Sequence, residues 1–331
     1  MNPVVSIVVA VYNAENSLSR CLDSLISQSF KEIEIICVND ASSDKSQQII
    51  EQYAAKDNRV RYIVHKENTN AGGAMNDGIK AARGEYVCIV DNDDWLDSSC
   101  IEILLEASEN RTIDIISCDW YKYFSEIKKI ENKNLSDSYD KTDNILYSLK
   151  NGWRILGSLI RTSIFKSNDL YYPEKVFFED NAIVTCILCY ANSIRPVHKP
   201  LYYYFETPSS VTRSVSQKKV TDRIFTTDLF LKNLEERGFA KQYDLDLIYY
   251  RYLLFSNNTL TMLTGTNESW ADMVIDELSD KILKRMPNNT LKELRPHLVK
   301  RLSNPKRFYQ KQKFFNRIKR IIPKGIRKIL S

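Results

Sequence analysis

The chain has nine glycines in 331 residues, and none precedes Gly72. The first predicted strand, Val4 to Val11, therefore runs into VYNAENS with no glycine, so the G-x-G-x-x-G fingerprint of dinucleotide-binding folds is absent. A P-loop is absent too, and a diphosphate bound here would depend on a metal ion for most of its neutralisation. The longest apolar stretches, such as Ala182 to Ala191, fall well short of the roughly 20 residues a membrane-spanning helix needs. No basic segment precedes the N-terminal hydrophobic run, which argues against secretion. The seven cysteines, at 21, 37, 88, 100, 118, 186 and 189, are an odd set lying mostly in apolar runs. They read as reduced thiols acting as small hydrophobes in a cytosolic protein. Cys186 and Cys189 have no second pair nearby, so core packing is favoured over zinc or redox chemistry. No internal repeat or low-complexity tract is visible.

What is present suits a globular protein: 43% hydrophobic and 27% charged residues. The net charge of +5 is unevenly placed. Arg295 to Ser331 carries 13 Lys or Arg and no acid, which leaves residues 1–294 at −8. An acidic body with a cationic arm points to an anionic surface as partner.

The apolar, β-branched run VVSIVVAV predicts a strand covered on both faces. Leu18, Cys21, Leu22, Leu25 and Ile26 then recur at helical spacing. Strands follow at 34–38, 60–64, 86–90 and 113–118, alternating with helices at 46–55, 73–82 and 98–107. The pattern is α/β, and an open doubly wound sheet is its economical solution. Residues 125–144 are polar and read as an exposed connection or an antiparallel excursion. A helix is expected at 180–190 and an aromatic strand at 201–205, in which Tyr203 faces away from Tyr202 and Tyr204. Beyond Val215 the pattern is helical.

Ligands of open α/β sheets bind beyond the carboxyl ends of the strands. Those ends carry Tyr12 and Asn13, Asn39 and Asp40, and the cluster Asp91-Asn92-Asp93-Asp94. Three carboxylates in four residues at the end of a buried strand repel one another and call for compensation, most simply by Mg²⁺ or Mn²⁺. One of them, Asp94, or else Asp97, has the alternative duty of capping the next helix.

Four segments carry a family resemblance: VSIVVAVYNAENSLSRCLDSLISQSF, EIICVNDASSDKS, NDGIKAARGEYVCIVDNDDWLD and VFFEDNAIV. In order and spacing they resemble the family 2 glycosyltransferases, strongly over residues 3–120 and more weakly over 150–215. The resemblance implies a GT-A fold, a doubly wound mixed sheet whose Rossmann-like half (1–120) binds a nucleotide-sugar and whose second half (145–215) takes the acceptor. It implies inverting transfer from a UDP-hexose or UDP-N-acetylhexosamine. Val11, Tyr12 and Asn13 match the loop beside the nucleotide, and Asp40 the carboxylate that accepts from the base. Asn76, Asp91 and Asn92 match donor-site positions, and Asp93 the leading metal ligand. Asp180, with Glu179 beside it, matches the catalytic base, which sugar chemistry requires in any case because a hydroxyl is a weak nucleophile. His198 is an acceptor-side candidate, Arg213 a loop residue able to reach the diphosphate, and His65 a surface residue after its strand. Three positions depart from the pattern: Ala10 stands for a proline, Asn70 for a glycine and Met75 for an arginine, the last two on a loop near the diphosphate.

A helical region at 216–294 and a tail at 295–331 complete the chain. In the tail Phe314, Phe315, Ile318, Ile321 and Ile322 alternate with Arg317, Lys319, Arg320 and Lys324. That amphipathic basic pattern suits an anionic membrane surface better than nucleic acid, for which no motif is present. The expectation is a peripheral enzyme at the cytoplasmic membrane face, extending a glycan or lipid-linked oligosaccharide of a lipopolysaccharide or capsule. Two rivals are a metal-dependent phosphohydrolase and a non-catalytic module that binds sugar nucleotides at the membrane. The first expects the Asp pair after the first strand, where it is not found; the second is opposed by the intact Asp40, Asp91, Asp93 and Asp180.

Overall fold

The computed structural model describes residues 2–124, 129–206, 215–266, 268–284 and 301–321. Val5–Val11 (β1) is buried along almost its whole length, as the unbroken apolar run requires. It pairs in parallel with Ile33–Asn39 (β2) on one side and Tyr86–Ile89 (β4) on the other, and Val60–Val64 (β3) extends the sheet beyond β2. Leu18–Ile26 (α1), Ser46–Lys56 (α2) and Asn70–Ala81 (α3) are the crossovers. Leu18, Cys21, Leu22 and Leu25 of α1 face the core, at the helical spacing read from the sequence.

Past β4 the sheet becomes mixed. Its order is β3-β2-β1-β4-β8-β6-β9-β5, where β5 is Trp95–Leu96, β6 Ile115–Tyr123, β8 Leu159–Arg161 and β9 Ile194–Phe205. The strand β8 runs antiparallel to β4 and β6, whereas β6 and β9 are parallel, with register breaks on either side of Asp119. The polar stretch after 124 contributes Lys129–Asn132 (β7), antiparallel to β6. The remaining helices of this part are Cys100–Glu106 (α4), Lys141–Asn151 (α5), Thr162–Ser167 (α6) and Asp180–Tyr190 (α7). All seven cysteines are buried free thiols.

The chain divides into two compact units, Met1–Ser210 and Val211–Ser331. The second consists of helices: Gln217–Glu236 (α8), Phe239–Gln242 (α9), Leu245–Gly265 (α10), Trp270–Lys284 (α11) and Pro305–Ile321 (α12). Phe230 and Phe255 meet edge to face at 5.5 Å between α8 and α10, and Asp228 is held by Lys281 and by the Tyr252 hydroxyl. Among the described residues no helix is long and apolar enough to cross a membrane. Of the basic tail, Pro305–Ile321 forms α12, and Ile322 and Lys324 lie outside the described residues, as does Arg213.

Candidate functional site

Because β1, β2 and β4 are parallel and adjacent, their carboxyl ends open on one edge, with the switch in strand order between β1 and β4. The turn after β1 is braced against the turn after β2. Asn13, at φ 47°, donates its backbone N–H to the Ser42 hydroxyl (3.0 Å) and accepts from Ser43 N (2.9 Å). The Val11 side chain lies in the core, and its carbonyl accepts from Asp40 N at 2.8 Å, so its part in this edge is a backbone one. Tyr12 is half exposed beside it.

At the end of β4 the acidic residues take different duties. Asp94 is fully buried and used up: Tyr202 donates its hydroxyl to Oδ2 (2.5 Å) and Phe205 its N–H to Oδ1 (2.7 Å). Asp97 organises the start of α4 by accepting from Ser99 N and Oγ. Asn92 ties the loop back to β1 by donating to Ala10 O (2.8 Å). Asp91 and Asp93 remain, and oxygens of Asp91, Asp93 and Asp94 can all lie within 4.8 Å of one another. Burial pushes Asp91 up to about 7, the Asp93 charge adds to this, and the Arg154 guanidinium partly offsets it. Burial raises Asp93 as well, against a smaller opposing pull from its own backbone and from Arg20. Half-buried carboxylates this short of counter-charge among the described residues fit a divalent cation, which takes one or two carboxylates and leaves its other positions to water and phosphate.

The second half of this unit brings further groups to the same place. Glu179 and Asp180 open α7, with Asp180 exposed and its Oδ1 accepting from Asn181 N (2.9 Å). Glu179 keeps some exposure but is largely enclosed. Burial, and then the charges of Asp180 and Asp91, push it up to about 8. Tyr172 is buried with its hydroxyl unpartnered among the described residues, and its titration is raised by burial and then by Asp180, Glu179 and Asp91. Asp91 therefore lies within electrostatic reach of Asp93 on one side and of Glu179, Asp180 and Tyr172 on the other.

Two arginines flank these acids. Arg20 is sandwiched between Trp95 (4.3 Å) and Phe205 (4.2 Å) and donates to the Asp93 carbonyl at 2.6 Å. Arg154 is sandwiched between Trp120 (4.4 Å) and Tyr204 (4.2 Å), with its Nε buried and unpartnered. Asn134 holds the Arg154 backbone at both N–H and carbonyl. Tyr203 stacks instead on Trp95, on the opposite face from Tyr202 and Tyr204, as strand alternation requires. Sequence reasoning missed Arg20, Arg154 and Tyr172. Each acquires its place from partners far along the chain, and the only local signal was the aromatic richness of 120–124 and 202–205.

Several expected residues stand elsewhere. Asn76 is buried in α3 and spends its amide on Tyr172, donating to its carbonyl (2.9 Å) and accepting from its N–H (2.8 Å), so it positions Tyr172 rather than presenting a free group. Met75 is a buried residue of the same helix and not part of a loop. Asn70 takes φ 61°, the left-handed conformation that explains a glycine at this position and that asparagine tolerates. His198 has both ring nitrogens occupied, by Asp119 Oδ2 (3.0 Å) and Ser136 O (3.2 Å), and no described contact joins it to the acidic cluster. His65 is no surface residue, since its ring lies 2.8 Å from Asp40 and is mostly buried.

Comparison with known proteins agrees with this geometry. The profile of glycosyl transferase family 2 matches residues 6–169. The uncharacterized glycosyltransferase EpsJ of Bacillus subtilis (strain 168) is 34% identical over 220 residues, 64% of this chain and 64% of EpsJ, so the match spans less than two thirds of that relative. The putative glycosyltransferase EpsH of the same organism is 32% identical over 254 residues, covering 74% of this chain and 73% of EpsH. TarS of Staphylococcus aureus (strain Mu50), a poly(ribitol-phosphate) beta-N-acetylglucosaminyltransferase, is 29% identical over 210 residues, 60% of this chain and 35% of TarS. A crystal structure of S. aureus TarS 1–349 in complex with UDP-GlcNAc superposes with TM-score 0.70 at 21% identity, covering 95% of this chain and 91% of that one, which establishes a shared fold. The chain belongs to glycosyl transferase family 2 and is a glycosyltransferase built on the GT-A fold.

Proposed function

We propose that this enzyme transfers a sugar from a UDP-sugar, a hexose or N-acetylhexosamine, to a hydroxyl of a bacterial surface glycan or lipid-linked oligosaccharide, with inversion at the anomeric carbon. The observation that carries the reading is the convergence of Asp91 and Asp93 with Glu179 and Asp180 at the sheet's carboxyl edge. The poly(ribitol-phosphate) activity of TarS is consistent with an anionic polymer as acceptor.

The parts of Tyr12, Asn13 and Asp40 are those the family resemblance implies, and those of the acidic residues rest on their surroundings as well. Asp93, with Asp91, would hold Mn²⁺ or Mg²⁺; when bound, the ion stabilises negative charge on the departing diphosphate. Tyr12 and Asn13 border the nucleotide, and Asp40 accepts from its base. Asp180 is exposed at the first turn of α7 and accepts the proton of the attacking hydroxyl. Glu179, raised to about 8, keeps its own proton near neutrality and serves as a donor beside Asp180 rather than as a second base. The phosphohydrolase alternative lacks an Asp pair after β1, and the non-catalytic alternative leaves this cluster without a purpose. The amphipathic tail, rich in Lys and Arg, would seat the enzyme peripherally on the anionic cytoplasmic face of the membrane.

A panel of nucleotide sugars with Mn²⁺ or Mg²⁺ tests the reading through release of nucleoside diphosphate, with Asp93→Ala as control. Release from one UDP-sugar, abolished in the variant, is the expected result. Silence across the panel together with no donor binding would overturn it. Retention at the anomeric carbon, read by NMR of the product, would remove the single-displacement role of Asp180.

A further inference from the structure

Asp40 is 2% exposed at the end of β2, and its two oxygens are treated very differently. Oδ1 accepts from Thr69 N (2.8 Å) and Thr69 Oγ1 (2.8 Å) and lies 2.8 Å from His65 Nδ1. Oδ2 is buried and has no partner among the described residues. His65 is itself fixed, because its backbone N–H donates to Asn39 O at 2.9 Å, one residue beyond β3. Its Nδ1 also lies 3.2 Å from Thr69 Oγ1, and its Nε2 lies 3.1 Å from Asp77 Oδ2 on α3. The other Asp77 oxygen takes Lys80 Nζ at 3.1 Å.

A neutral imidazole carries one ring hydrogen, and an ionised carboxylate has none to give. The shorter of the two His65 contacts, 2.8 Å from Nδ1 to Asp40 Oδ1, places the ring hydrogen on Nδ1 as the donor to that oxygen. Asp40, His65, Asp77 and Lys80 form a continuous row of contacts that runs from the buried pocket to the solvent-exposed side of α3.

We propose that His65 is a positioning residue for Asp40: held between Asp40 and Asp77, it fixes Oδ1 so that Oδ2 alone is offered to the nucleobase. This rests on the reading of Asp40 as the acceptor for the base. A lone carboxylate oxygen accepts and cannot donate. It matches the ring N–H of uracil and meets a lone pair on the corresponding nitrogen of cytosine. Sites built to make such a bond reject the base that cannot complete it. Selection of uridine over cytidine nucleotides thus depends on His65 as well as on Asp40.

Two measurements on the full chain test this. Nitrogen-15 NMR of the histidine side chains in the wild type reads the ring protonation directly. With three histidines in the chain, the His65 signal is assigned by its loss in His65→Asn. A hydrogen on Nδ1, the nitrogen facing Asp40, is the expected result, and a bare Nδ1 overturns the positioning role without recourse to any functional variant. Calorimetric titration with UDP and CDP in the presence of Mn²⁺ then compares His65→Asn, whose amide mimics Nδ1, His65→Gln, whose amide mimics Nε2, and Asp40→Asn. His65→Gln should weaken UDP about tenfold, the worth of a hydrogen bond to a charged group, and narrow the UDP-to-CDP ratio. His65→Asn should fall between it and the wild type. Unchanged affinity and ratio in His65→Gln, with both lost in Asp40→Asn, would show that Asp40 acts without His65. A uridine preference that survives Asp40→Asn would instead remove the base reading of Asp40 itself, a separate failure.

Discussion

Replacing Gly72 by alanine sets two effects of opposite sign against each other at one atom. Gly72 lies in the first turn of α3, where alanine is favoured over glycine by about 0.8–1 kcal/mol on helix propensity alone. An added Cβ, however, would sit 2.4 Å from the Pro173 carbonyl oxygen, 3.2 Å from Tyr172 Cβ and 3.3 Å from Glu179 Cγ. The first of these is backbone and cannot rotate away, so α3 and the 172–179 segment must part. Overpacking of this kind costs about 1–3 kcal/mol. The separation also strains the two hydrogen bonds between Asn76 and Tyr172, each worth about 1 kcal/mol. The clash wins, with a net loss of about 1–3 kcal/mol, and at roughly 2–4 °C per kcal/mol for a unit of this size the melting temperature should fall by about 2–12 °C. Activity should fall further than stability does. The displaced segment carries Tyr172 and Glu179, and a misplacement of about 1 Å can cost on the order of a hundredfold in rate. The assay is thermal denaturation alongside nucleoside diphosphate release measured well below the melting range. A variant as stable as the wild type or more so would refute the packing argument. Lost stability with full activity would refute the link between α3 and the acidic cluster.

Three further outcomes follow from the same geometry. Asp93→Asn removes a charge that repels Asp91, so the metal-free protein should be at least as stable as the wild type. It should lose the Mn²⁺-induced rise in melting temperature, which in the wild type corresponds to about 2.7 kcal/mol at a hundred times the dissociation constant; an undiminished Mn²⁺ shift would acquit Asp93 as a ligand. Tyr202→Phe strips the hydroxyl donor from buried Asp94 and should destabilise by about 1–3 kcal/mol in chemical denaturation, and a neutral result would mean that Asp94 is satisfied without it. Glu179 is raised in the fold to about 8, so its stabilising contribution is complete below the ordinary carboxylate range and is lost as pH rises through about 8. Denaturation midpoints of the metal-free protein should therefore fall between about pH 5 and 8, with a shallower slope in Glu179→Gln, and equal slopes would show that Glu179 is already ionised.

The parallel half of the sheet was legible because each strand is a short apolar run and each crossover shows helical spacing. The mixed half was less so. The sequence pattern starts the last strand at Leu201, whereas β9 begins at Ile194, because Arg195, His198 and Lys199 break the alternation that its pairing with β6 does not need. The same pairing carries β6 on to Tyr123, past the strand end read at Cys118 and through residues whose mix of aromatic and charged side chains shows no clear pattern. Strand-end acids could be found from sequence, since position after a buried strand is itself the signal. The sorting among them could not: that Asp94 serves Tyr202 and Phe205 while Asp91 and Asp93 are left over depends on partners 108 and 111 residues away. Asn76 is equally beyond local reading, a motif position whose side chain is engaged by a neighbour 96 residues along the chain.

Glu34 supplies the internal control for the acidic cluster. It is a buried carboxylate near the start of β2, whereas Asp91 and Asp93 are half-buried past the end of β4, and the fold compensates it in full. Ser6 donates its hydroxyl to Oε1 (2.7 Å), Arg83 its backbone N–H to the same oxygen (2.8 Å), and the guanidinium groups of Arg61 (2.5 Å) and Arg83 (2.9 Å) reach Oε2. Burial pushes Glu34 up, but these donors and charges outweigh it, and the group ends below the ordinary carboxylate range. At the carboxyl edge the same chain has two arginines within reach and does not pair either with the acids: Arg20 donates to the Asp93 carbonyl, and Arg154 is held between aromatic rings. Asp91 is left at about 7, where Glu34 was brought down. Among the described residues the fold thus neutralises a buried acid at one strand and leaves Asp91 and Asp93 without a matching cation at the end of another, the pattern expected of a functional site rather than of a packed one.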